Sequence, residues 1–143
     1  MTLDKILKYK NKDLLARYQK DYPNNHLKPK EALTELLKYF WLIRKHQKAV
    51  MLHPKKTSLQ FSAGIHSEMK EIDDMWHTFL LFTQDYTDFC QKYFSGFIHH
   101  VPNMKNKPAK TAAFKKNLRK YLSYIYDNLG EKTLRTWFRN SLK

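Results

Sequence analysis

Apolar side chains recur at helical spacing along most of this 143-residue chain. Leu33, Leu36, Leu37, Phe40 and Ile43 share one face of a helix that Pro29 can open and that should end near residues 47–51. Before it, Leu3, Ile6, Leu7, Leu14, Leu15 and Tyr18 form an interrupted stripe, either one bent helix or two short ones, ahead of a Tyr22-Pro23-Asn24-Asn25 turn. After it, residues 52–65 lose the period and carry Pro54, Thr57, Ser58, Ser62 and Gly64, which predicts a loop.

Helical spacing returns with Met69, Ile72, Trp76, Phe79 and Leu80, for which Ser67 is the expected N-cap. Thr83 reads as a second N-cap that breaks the helix, so that Tyr86, Phe89, Cys90 and Tyr93 sit on a further one. Gly96 is expected to end that helix in the left-handed conformation. Residues 103–110 are polar and basic, a connection. Phe114, Leu118, Tyr121, Leu122, Ile125 and Leu129 then define a fifth helix stopped by Gly130, with Leu134, Trp137, Phe138 and Leu142 on a last short one. No strand alternation competes with this pattern. The expected fold is a single all-α domain over residues 1–143, a compact bundle of five or six helices, with a motif block at 65–102 and basic C-terminal helices at 110–143.

Composition agrees. Apolar residues make up 42% and aromatics 15%, enough for a core without staples. The single Cys excludes an internal disulfide and fits a reducing cytoplasm, the expected location. No apolar run is long enough for a membrane span, and the first residues carry no signal-peptide pattern.

Charge changes the picture more. The net charge is +14, but residues 61–102 carry 2 Lys+Arg against 6 Asp+Glu, while 1–60 carry 14 against 5 and 103–143 carry 11 against 2. The densest basic run is Lys105, Lys107, Lys110, Lys115, Lys116, Arg119 and Lys120, interleaved with Phe114 and Tyr121. A second comprises Arg44, Lys45, Lys48, Lys55 and Lys56. Such cations neutralise phosphates, and aromatics can stack on unpaired bases, so nucleic acid or an acidic protein is the candidate partner. The competing reading is that Phe114 and Tyr121 face the core and the lysines are merely solvated.

The acidic middle holds the candidate chemistry. Asp73 and His77 are four residues apart and Asp74 and His77 three apart, so either pair can share a helix face. His99 and His100 follow the Gly96 turn, from which the chain can fold back. Asp73, His77 and one of His99 or His100, with Cys90 as a fourth candidate, meet the ligand count of a divalent metal, zinc first. In one straight helix His77 and Cys90 would lie about 20 Å apart, so Cys90 depends on the break at Thr83. The alternative is that Cys90 is a small buried hydrophobe and His77 only a satisfied polar tip. No nucleophile elbow, phosphate loop or oxyanion-hole motif accompanies these residues, which favours a binding role over catalysis.

The same block resembles the glycine-rich domain-containing protein-like family, marked by an aliphatic-Asp-x-x-Trp-His run, a downstream Tyr and Phe-Cys, then Gly and His before Pro. Those positions are Ile72-Asp73-Asp74-Met75-Trp76-His77, Tyr86, Phe89-Cys90, Gly96 and His99-His100-Val101-Pro102, with looser similarity at Tyr39-Phe40-Trp41-Leu42. The spacing at Ser95, the long linker at 52–65, the Lys-rich ends and the lack of a glycine-rich region depart from it. The resemblance implies a compact helical domain and points to Asp73, His77, Cys90 and His100, without supplying a reaction.

Overall fold

A computed structural model describes residues 1–101 and 111–139. Six α-helices lie within them and no strand does, so the chain is all-α. The interrupted N-terminal stripe is two helices, α1 (Leu3–Ile6) and α2 (Lys12–Asp21). The break between them is made by Asn11, whose side-chain oxygen accepts from the Leu14 N–H at 3.0 Å and caps α2. Helix α3 spans Pro29–Leu52, α4 Lys70–Leu81, α5 Thr83–Phe94 and α6 Ala112–Trp137. Among the described residues, no helix is long and apolar enough to cross a membrane.

Three local readings are corrected. Ser67 does not cap α4: it opens a 3-10 turn, Ser67–Met69, and its hydroxyl donates to Glu68 at 2.8 Å. The break between α4 and α5 falls at Phe82, whose backbone (φ −94°, ψ 69°) leaves the helix, and Thr83 is already the first residue of α5. Ser95, not Gly96, takes the left-handed conformation that closes α5 (φ 54°, ψ 30°), because its own N–H reaches back to the Gln91 carbonyl. Gly130 interrupts α6 as expected: at φ 87° it turns the chain where a side chain would be strained, and helix resumes to Trp137.

The chain forms two compact units. The first comprises Met1–Trp41 and Ile65–Ile98, the second Leu42–Gly64 and His99–Lys143. Helix α3 thus contributes its first half to one and its second half to the other.

In the first unit, Phe40 of α3 is fully buried among Trp76 of α4 and Tyr86, Phe89 and Phe94 of α5, with ring centroids at 5.1, 6.3, 5.8 and 6.4 Å. Phe79 extends the cluster, 5.0 Å from Tyr86 and 5.3 Å from Phe89. Carboxylates on α4 fasten the turn after α2. Glu71 accepts from the backbone N–H groups of His26 and Leu27 at 2.9 and 2.6 Å, and buried Asp74 accepts from Asn25 at 3.1 Å.

The second unit is held by a smaller stack. The buried His46 ring lies 4.1 Å from Phe61, which stacks 5.8 Å from Tyr121. His46 Nε2 meets the Leu59 carbonyl at 2.9 Å, the Tyr121 hydroxyl donates to the Gly64 carbonyl at 3.0 Å, and the Ser62 N–H donates to Asn117 at 2.8 Å. The loop of residues 53–64 is thereby strapped to α6.

Charge divides completely between the units. The first carries 11 Lys+Arg against 11 Asp+Glu, net zero; the second carries 16 against 2, the whole +14.

Candidate metal centre

Helix geometry alone places Asp73 and His77 on one face of α4, one turn apart. Asp73 Oδ2 lies 3.3 Å from His77 Nδ1, the carboxylate a quarter exposed and the imidazole half exposed. Asp74, the other sequence candidate for pairing with His77, points elsewhere. It is buried against Asn25 and takes the Lys70 ammonium at 3.0 Å, which makes it a fastener of the fold.

Tyr86 brings the next segment to this face. Its hydroxyl accepts from the Trp76 indole N–H at 3.1 Å and donates to the Ile98 carbonyl. Burial, chiefly, pushes the Tyr86 phenol far above its ordinary 10, so it stays protonated and keeps donating. Ile98 is buried, and His100 follows it by two residues, a reach of about 7 Å at most. The Tyr86 anchor therefore limits how far the His100 backbone can lie from Ile98.

Asp73, His77 and His100 each offer one ligand atom, and the three atoms lie within 4.8 Å of one another. Two ligands at about 2.1 Å from a shared ion are about 3.4 Å apart at a tetrahedral angle and about 4.2 Å apart at most. The Asp73–His77 separation fits without movement, and a shift of at most about 1.4 Å by side-chain rotation brings in His100. The site is bordered by Tyr39, whose ring is 5.7 Å from Trp76. Burial and the nearby Asp73 carboxylate push the Tyr39 phenol well up, so it too remains neutral.

The other candidates lie elsewhere. Cys90 is 1% exposed in the aromatic core, its thiol within hydrogen-bonding reach of the Tyr86 hydroxyl. His99 is exposed, and neither it nor Cys90 belongs to the group of three. Of the basic run, Lys105, Lys107 and Lys110 lie outside the described residues. Lys115, Lys116 and Arg119 are exposed on α6, while Lys120 is half-buried with its ammonium 3.5 Å from the Gln60 carbonyl. Tyr121 is fully buried and not available for stacking on a base.

Two roles escaped the sequence. The sequence places Tyr86 on a helix stripe and in the family resemblance without a partner for its hydroxyl, which a buried Tyr generally needs. His46 continues the α3 stripe three residues after Ile43, a spacing that already placed it inward.

No curated protein and no solved structure matches the chain. The likeness of the central block to the glycine-rich domain-containing family covers about thirty residues and is overturned by a match of far greater extent. That match takes in residues 4–134, all or most of each of the six helices, with a different and uncharacterised family model. On this evidence the chain belongs to the UCP032817-like family.

Proposed function

We propose that the first unit and the segment leaving it hold a divalent metal ion through Asp73, His77 and His100. The observation that carries this reading is the approach of the three ligand atoms to within 4.8 Å. Two imidazoles and one carboxylate suit zinc and other divalent transition metals, and three protein ligands leave a coordination position for water or a small ligand. Tyr86 acts behind the ligands by fixing the backbone that leads to His100. Cys90, a buried thiol outside any disulfide, suits a cytoplasmic setting.

Elemental analysis of protein purified without a histidine tag tests the proposal. About one equivalent of metal is expected, and His77→Ala should lose it while the stability of the metal-free protein changes by under about 0.5 kcal/mol, because the His77 side chain is half exposed. Substoichiometric metal, together with an unchanged melting curve in chelator, would leave Asp73 as no more than the orienting partner of His77.

A second reading belongs to the second unit. Its net +14, against zero in the first unit, favours a polyanionic partner, since a charge needed only for solubility has no reason to gather in one unit. Heparin retention is expected to drop by a large step when Lys115, Lys116 and Arg119 are changed to Gln. Removing three exposed lysines of the first unit should barely alter it. Equal effects would reduce the charge to a bulk property.

A further inference from the structure

Resting on that second reading, we infer that the polyanion is a single-stranded nucleic acid, seated along the outer face of α6 on Lys115, Arg119 and Tyr126. The helix supplies the alignment. Taking 100° per residue, Lys115, Arg119 and Tyr126 fall within about 40° of one another and span about 16 Å along the axis. Lys116 flanks the row. All three cations are exposed, and Tyr126 is 54% exposed although it is an aromatic on a helix whose other large rings are buried or half-buried. Tyr121, Ile125 and Trp137 fill the buried side of α6, so the outward face is free to present charge.

Cations alone would bind any polyanion. The exposed ring is what selects: a base freed from pairing offers a flat face to stack on, whereas in a duplex the faces are covered by neighbouring base pairs. The supporting surface carries little opposing charge. Residues 42–64 contribute Arg44, Lys45, Lys48, Lys55 and Lys56 with no acid at all. On α6 the acids are Asp127 and Glu131, and Glu131 is taken up by Arg135 at 2.9 Å. An anionic membrane fits less well, because adsorption of a helix needs an apolar face turned to the lipid, and here the apolar face of α6 is buried.

Fluorescence anisotropy with labelled oligo(dT) and oligo(U) of roughly 20 nucleotides, longer than a single binding site, and with a duplex of the same length, tests this. The single strands should bind more tightly than the duplex. Tyr126→Ala should weaken single-strand binding about fivefold and leave duplex binding unchanged. The triple change Lys115→Gln, Lys116→Gln, Arg119→Gln should flatten the slope of log affinity against log salt by about 2. The matched control Lys5→Gln, Lys8→Gln, Lys10→Gln removes equal charge from exposed positions of the first unit and should alter neither. Equal affinity for duplex and single strand, or a Tyr126→Ala variant that binds normally, overturns the inference while leaving the polyanion reading intact. Failure to bind heparin or any oligonucleotide at low salt, or equal losses in the two triple variants, overturns that reading too. Binding to phosphatidylserine vesicles without binding to oligonucleotides overturns the inference in favour of a membrane surface.

Discussion

Phe40→Ala should lower the unfolding free energy by about 3–5 kcal/mol, the largest loss expected from any single truncation in the first unit. The side chain is fully buried, and four aromatic rings from α4 and α5 close on it at 5.1–6.4 Å. Removing it deletes the transfer free energy of a phenyl ring and opens a void that bulky, mutually wedged neighbours cannot fill by small rotations. Edge-to-face contacts with Trp76 and Tyr86 add to the loss. In urea, the midpoint should fall with little change in the slope of the transition. A loss of under about 1 kcal/mol would mean that the cluster repacks freely and does not define the position of α4 against α3. The consequence for function is direct, since Trp76 in that cluster sits one residue before His77.

What could be read from the sequence follows the range of each interaction. The stripe Leu33–Leu36–Leu37–Phe40 and the four-residue spacing of Asp73 and His77 are properties of one helix, and both appear in the structure at the expected places. The choice between Asp73 and Asp74 was not available locally. It is made by Asn25 and Lys70, one of them 49 residues away in the chain, which claim Asp74 and leave Asp73 to the imidazole. Likewise, nothing near Glu71 announces that its carboxylate will take the N–H groups of His26 and Leu27. The turn after α5 was assigned to Gly96 because glycine adopts left-handed backbone most cheaply, but the hydrogen bond to Gln91 puts the turn one residue earlier. Charge is the clearest case. Counted along the chain it appears as two basic flanks around an acidic middle. Only the division of α3 between the units reveals that the stretches of chain making up the first unit are neutral and that those assigned to the second carry the excess.

Tyr86→Phe should be costly for so small a change, about 2–4 kcal/mol of stability, and should also weaken metal binding. The hydroxyl is the acceptor for the Trp76 indole and the donor to the Ile98 carbonyl, both in buried surroundings. Deleting it removes one partner from each of two buried polar groups, at about 1–3 kcal/mol apiece, while the ring and its packing remain. The functional arm concerns Ile98. With its carbonyl released, the segment carrying His100 is less constrained, and more ordering entropy opposes closure of the three ligands on an ion. A fall in metal affinity of about 10- to 100-fold is expected, the range for a group that orients a ligand without touching the metal. Denaturant titration of the metal-free proteins and metal titration of the same preparation separate this from His77→Ala, which should lose the metal yet match the unaltered protein's metal-free stability. If Tyr86→Phe lost stability yet bound metal as tightly as the unaltered protein, His100 would not depend on the Ile98 anchor, and the orienting role of Tyr86 would fall. Tyr86 is therefore the residue at which the fold and the proposed centre can be tested in one experiment.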